Sequence, residues 1–170
     1  MVEPTTWLAY QSSMDAVFPK GSRAYWRNAS FDRFDAELID VVIEHCGAQT
    51  WLGTGADVHH MGGAFARVPE DATAYPSRAG NYLLNVYGFW PDPADDGARI
   101  AWVKGFAEAV RPHAIEGQYV NFLGADDSDA HRKALAAYGP TKLARLSEIK
   151  RRYDPDNLFR INHNILPAAG

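Results

Sequence analysis

Apolar positions in this chain recur with two periods, and the change from one to the other predicts its elements. Phe34, Leu38, Val41, Val42 and His45 fall three to four residues apart, so they share one face of a helix. Asp32 is placed to cap that helix, Asp35 sits in its first turn near the positive end, and Gly47 can stop it. A second helix is predicted over 96–111, with Ile100, Val103, Phe106, Ala107 and Val110 inward. Pro112 ends it, since proline has no N–H to donate and clashes inside a helix. Ser128 can cap a short helix ending at Tyr138, and Gly139 with Pro140 opens another. The buried face of that last helix is Leu143, Leu146, Ile149 and Tyr153, which leaves Lys142, Arg145, Lys150 and Arg151 as a solvated face. Residues 154–157, Asp-Pro-Asp-Asn, read as a turn.

Strands are predicted at 8–10, 24–27, 50–52, 57–60, 82–90 and 118–123. These runs are short, aromatic or β-branched, and bounded by Gly, Pro, Ser or Asp. Helices thus alternate with single strands at uneven spacing, and no glycine-rich turn links strand to helix. That pattern predicts an α+β fold, a mainly antiparallel sheet with helices packed on one face.

Composition narrows the function classes. The 170 residues, 46% hydrophobic and 22% charged, suit one folded unit with its own core. The net charge of -4 selects no partner, and the basic residues form no stripe with interleaved aromatics, which disfavours nucleic acid. No run approaches the roughly 20 apolar residues needed to cross a bilayer, and residues 1–9 lack a signal-peptide pattern. A cytoplasmic protein without membrane contact is the expectation. Cys46 is the sole cysteine, which excludes an internal disulfide and a cysteine metal cluster. Its place before Gly47 reads as a small buried hydrophobe rather than a nucleophile.

Candidate chemistry is sparse. No two of His45, His59, His60, His113, His131 and His163 stand i,i+4 on a helix, so no metal set emerges. His59 and His60 point oppositely on a strand, so one faces the core or a ligand. Catalysis by either and a structural hydrogen bond both remain open. Gly62 and Gly63 suggest a bulge, or close approach of a backbone or flat ligand. Tyr119 and Asn121 share a face of the 118–123 strand, where a phenol and an amide serve one ligand or satisfy local bonds. In the tail, Phe159, Ile161, Ile165 and Leu166 need cover, and Asn162 and Asn164 need partners if buried.

Three stretches taken together resemble the C-terminal part of the berberine-bridge-enzyme-like family of FAD-linked oxidases. They are residues 142–167, including Arg151-Arg152-Tyr153-Asp154-Pro155-Asp156-Asn157 and Asn162-His163-Asn164-Ile165; Tyr119-Val120-Asn121-Phe122; and 60–78, from His60-Met61-Gly62-Gly63 through Arg67-Val68-Pro69 to Arg78. The resemblance implies a partial substrate-side domain over 1–124, packed as one unit with a helical and return segment over 125–170. It implies a flavin-binding domain that would precede Met1, so FAD is held mainly by another domain or subunit and not tightly by this chain alone. The chain alone would be inert. By resemblance, Tyr119, Asn121, Asn162 and Asn164 lie near the flavin, and Gly62, Gly63, Arg78 and Phe122 on the substrate side. Many relatives carry tyrosine at the position of Phe122, and in several of them it acts as the proton acceptor. A phenyl ring cannot, so Tyr119 is the first substitute, with His59 or His60 behind it. The implied reaction is hydride transfer from a small-molecule substrate to FAD, followed by reoxidation by oxygen. The alternative is a stand-alone binding or structural domain that has lost redox activity. A homo-oligomer that rebuilds a pocket between copies is the remaining arrangement.

Overall fold

The computed structural model describes residues 3–13, 15, 20–115, 119–122, 130–161 and 163–169, with the backbone alone for 130–135. In chain order its elements are α1 (Trp7–Ser12), β1 (Arg23–Phe31), α2 (Ala36–Ala48), β2 (Thr54–His60), α3 (Ala64–Arg67), β3 (Tyr82–Trp90), α4 (Asp96–Val110) and α5 (Ala130–Tyr153). Short 3-10 turns lie at Glu70–Ala72, Pro93–Asp95, Arg111–His113 and Val120–Phe122. The three strands pair in the order β1-β3-β2, both pairs antiparallel.

This overturns the expected fold class. The described chain is predominantly helical, and its small open sheet is not the dominant layer. The physical reason is local. Residues 8–10 fall inside α1, where Thr6 Oγ1 accepts the Ala9 N–H at 3.2 Å and caps the helix. Residues 50–52 form the turn into β2, held by the Gln49 side chain. Its carboxamide accepts the Trp51 N–H at 2.8 Å and donates to the Thr54 carbonyl at 2.7 Å. In the predicted strand 118–123, the described residues 120–122 form a 3-10 turn. Strand pairing on that side stops at a single bridge between Ser30 and Ile115. The prediction over 82–90 coincides with β3, whereas 24–27 and 57–60 fall inside the longer β1 and β2.

One face of the sheet holds the core. Phe31, Leu84 and Val86 meet Leu38 of α2 and Val103, Phe106 and Val110 of α4, all at most 1% exposed. Each such side chain contributes about 1.5–3 kcal/mol by leaving water. α2 begins later than its pattern suggested. Asp35 is the cap, accepting the Leu38 N–H at 3.1 Å, because Asp32 is already engaged by the Asn81 side chain. α5 is anchored elsewhere. Lys142, expected on a solvated face, is buried, and its ammonium pairs with Glu70 and donates to the Tyr75 and Pro76 carbonyls. Conversely, Ile149 is 45% and Tyr153 73% exposed, although both were expected inward. Gly139 breaks the helix at φ 69°, a conformation glycine adopts without strain. The turn at 154–157 forms as predicted, with Asn157 at φ 52°. No helix of the described residues is long and apolar enough to cross a membrane.

Candidate functional site

The face of the sheet opposite α2 and α4 is built differently. Register puts Trp26 beside Tyr87, and Asn28 beside Asn85, which in turn faces Asp57; His59 lies opposite Leu83. Side chains two apart share a face, so aromatic rings and a polar row stand together here. Over this surface lies the turn at 119–122. Asn28, 7% exposed, holds it: Oδ1 accepts the Tyr119 N–H at 2.9 Å, and Nδ2 donates to the carbonyls of Phe122 at 3.1 Å and Tyr119 at 3.4 Å. One side chain thereby satisfies the backbone groups that a neighbouring strand would have taken. The Phe122 ring stacks on Trp26 with centroids 5.5 Å apart, and the Tyr119 ring meets Phe122 edge-on at 5.2 Å.

Tyr119 and Asn121 do come together, although not on a strand. Asn121 Nδ2 donates to the Tyr119 hydroxyl at 2.7 Å, and both residues reach solvent in part. The Tyr119 ring also stacks on Tyr75 at 5.3 Å. Burial raises the Tyr75 hydroxyl pKa, assisted by Tyr119 and opposed by the Arg78 charge. His59 and His60 separate as alternation requires. His59 joins the open face, with Nε2 2.6 Å from Asp57 Oδ1. The His60 ring packs near Tyr82 at 5.4 Å, on the core side. A Cβ on Gly62 would lie 2.8 Å from His60 Cε1, so a larger residue there would displace that exposed ring. Gly63, at φ 67°, turns the chain into α3.

Arg78 is occupied with the loop before β3. Its guanidinium donates to the Phe65 carbonyl at 3.0 Å and Thr73 Oγ1 at 2.8 Å, and lies over the rings of Phe65 and Tyr75. Its backbone N–H donates to Glu70 at 2.9 Å. Burial acts to raise the Glu70 pKa, but hydrogen bonds from Lys142 and the Arg78 amide, with both positive charges, outweigh it and hold the carboxyl below its ordinary value. This loop sets Tyr75 against Tyr119. A cavity of about 230 Å3 lies between residues 71–74, which lead into Tyr75, and α5's Lys142, Arg145, Leu146 and Ile149.

Asn162 lies outside the described residues. Asn164 belongs to the tail that returns along α5, where Ala168 N–H donates to the Ser147 carbonyl at 3.0 Å. Its Oδ1 is buried and without a hydrogen-bond partner among the described residues, as is Oδ1 of Asn85. Both are acceptors lacking a donor, and a flavin ring N–H or ribityl hydroxyl supplies donors of that kind, so the residues present fit a flavin. No cluster of three metal-ligating side chains occurs among the described residues. Sequence reasoning missed Asn28, Asn85 and Asp57. The alternation of Asp57 with His59 was the available signal, but pairing with Asn85 is visible only in the register.

Residues 118–166 match the family model described as "Berberine and berberine like". An uncharacterized FAD-linked oxidoreductase of Bacillus subtilis, YvdP, is 33% identical over 109 residues, 64% of this chain and 23% of its own length. The FAD-linked oxidoreductase aurO of Gibberella zeae is 24% identical over 99% of this chain and 32% of its own. Among solved structures, berberine bridge enzyme from Eschscholzia californica superposes with a TM-score of 0.74 at 16% identity, covering 88% of this chain and 34% of that one. The chain therefore spans less than a third of the length of these curated relatives.

Proposed function

Since the chain belongs to the berberine-bridge-enzyme-like FAD-linked oxidoreductase family, we propose that it is the substrate-side portion of a flavin-dependent oxidoreductase. The flavin is held mainly by another domain or chain, which packs over the open sheet face and the tail. The observation that carries this reading is a set of contacts left incomplete within the chain. Buried carbonyls of Asn85 and Asn164 lack donors, while Leu158, Phe159 and Ile161 stand 75%, 80% and 86% exposed. Unpaired buried acceptors and clustered exposed hydrophobes both suit a covering partner.

Asn164, with Asn162 beside it in sequence, would hold the cofactor, and Tyr119 and Asn121 would orient substrate against it. A bound flavin supplies two-electron oxidation by accepting hydride. The chain's own work is placement. The Trp26 and Phe122 rings form an apolar floor that excludes water, and Asn121 fixes the Tyr119 hydroxyl as a directed polar group. Phe122 offers the same floor as a tyrosine without its proton chemistry. Gly62, Gly63 and Arg78 act at one remove, by shaping the loop that carries Tyr75. The alternative, a stand-alone binding domain, calls for a closed polar surface, and the exposed tail weighs against it.

The test is to mix the purified chain with a flavin-bearing chain from the same genome that lacks this portion. A stable complex with restored substrate-dependent flavin bleaching is expected, then recovery of the flavin's colour in air. Absence of a complex with every such chain, or tight FAD binding by this chain alone, would overturn the reading.

A further inference from the structure

The two edges of the sheet are not alike. β1 and β2 flank β3, so each turns alternate backbone groups toward β3 and the others outward. On β1 the outward set includes Ser30, whose carbonyl accepts the Ile115 N–H at 2.8 Å, and Trp26, whose carbonyl accepts from Arg27 Nη1 at 2.9 Å. Between them, the turn at 119–122 is fastened to the Asn28 side chain. That edge is engaged from Trp26 to Ser30.

β2 is open. The Met61 N–H donates to the Asn81 carbonyl and the Phe89 N–H to the Gly53 carbonyl, both at 2.8 Å. Counting by twos along the register, Gly55, Asp57 and His59 bond β3, and Thr54, Ala56, Val58 and His60 face outward. The Gln49 amide takes the Thr54 carbonyl. Nothing among the described residues takes the outward N–H or carbonyl groups of Ala56, Val58 and His60. This run holds no proline, lysine or bulge, the devices that keep an exposed edge from pairing.

We propose that the β2 edge binds the same edge of a second copy of this chain, antiparallel about a two-fold axis at Val58, to give one sheet across both chains. Valence and charge set the register. Centred there, Val58 meets the partner's Val58 and Ala56 meets the partner's His60, so every outward group of the three residues finds a bond. Asp57 then stands opposite the partner's His59, and His59 opposite the partner's Asp57. Each acceptor-only carboxylate faces an imidazole that can donate. A centre at Asp57 would oppose two carboxylates, and a centre at His59 would carry Ala56 past the end of the partner's strand. The Val58 side chains, 45% exposed in one copy, meet on the helix side of the sheet. Pairing through the edge leaves the open face and the tail free, so it stands apart from the flavin reading.

The test is sedimentation of the full chain alone over a range of concentrations, with amide exchange read at the same concentrations. A dimer is expected, in which the Ala56, Val58 and His60 amides exchange slowly when concentrated and quickly on dilution. Val58→Pro should abolish the dimer and keep the fold, because the lost N–H points away from β3; circular dichroism checks the fold. His59→Glu should weaken dimerisation about tenfold by setting like charges opposite each other at both ends of the pair. Asp57→Lys combined with His59→Glu reverses both charges and should restore it, which a merely damaged strand would not do. A monomer at every concentration, fast exchange of those amides within the dimer, a dimer untouched by Val58→Pro, or no rescue by the folded double variant would each overturn the proposal. Protection that arises only with a flavin-bearing chain would give the edge to a strand of that chain and overturn it equally.

Discussion

The sheet with α2 and α4 and the region of α5 with its tail solve the problem of holding shape in opposite ways. The first buries apolar side chains to completion: Phe31, Leu38, Leu84, Val103 and Phe106 have no exposed surface. The second leaves Tyr153, Leu158, Phe159 and Ile161 largely in water and is held by ionic and backbone pins. Lys142 ties α5 to Glu70 and two carbonyls, and Lys150 ties it to Asp154 and to the Phe159 carbonyl at 2.6 Å. Asp154 accepts the N–H groups of Leu158 and Phe159 at 2.8 and 3.1 Å, which directs the tail back. A region that fixes its backbone by polar contacts while exposing its hydrophobes is shaped for a surface that it does not itself provide.

The largest expected effect lies in the first region. Phe106→Ala should cost about 3–5 kcal/mol in urea unfolding, because the fully buried site leaves a cavity between α4 and the sheet. A loss under about 1 kcal/mol would mean that the core is not closed as described. Lys142→Met should cost about 2 kcal/mol, since the Glu70 carboxylate and two carbonyls lose a charged donor. The half-exposed Glu70 regains some water, so the loss should stay below that of Phe106→Ala. Hydrogen exchange should speed up across residues 64–78 and leave β3 unchanged; uniform loss of protection would erase the distinction between the regions.

The pins should also titrate. Hydrogen bonding from Lys150 lowers the Asp154 pKa against the opposing effect of burial, helped by the Leu158 and Phe159 amides and the Lys150 charge. A depressed folded-state pKa contributes stability above the ordinary carboxylate range, near pH 4, and loses it as pH falls through the folded value. Acid should therefore release the Leu158 and Phe159 amides to exchange while the sheet stays protected, and Asp154→Asn should flatten that dependence. Glu70 should act in the same direction on residues 70–78. The smallest effect on the chain alone is expected for Leu158→Ser with Phe159→Ser, within about 0.5 kcal/mol of wild type in urea. The same pair should weaken capture by a flavin-bearing chain in a pull-down. Unchanged capture would remove the tail from the proposed contact.

Much of the first region was legible because its elements carry their own patterns. β3 begins and ends where alternation and bounding residues put it, and α4 follows its apolar spacing and stops before Pro112. The candidate site was legible in part. Tyr119 and Asn121 meet through a turn rather than on a strand face, and they bond to each other. His59 and His60 diverge as alternation demands, yet nothing in the spacing says which of them faces the open side.

By itself, the sequence determined where chains of apolar residues must hide, where helices stop, and which residues resemble those of flavin-linked oxidases. These follow from short-range rules of period, capping and turn chemistry. Only the tertiary structure decided that Asn28 would take the backbone bonds of a would-be strand, that Lys142 would be buried, and that Asp57 would stand between His59 and Asn85. Each of those outcomes depends on a partner at least 28 residues away in the chain, or on which face of the sheet the helices cover. Local patterns carry no record of such distant competition for hydrogen bonds and space.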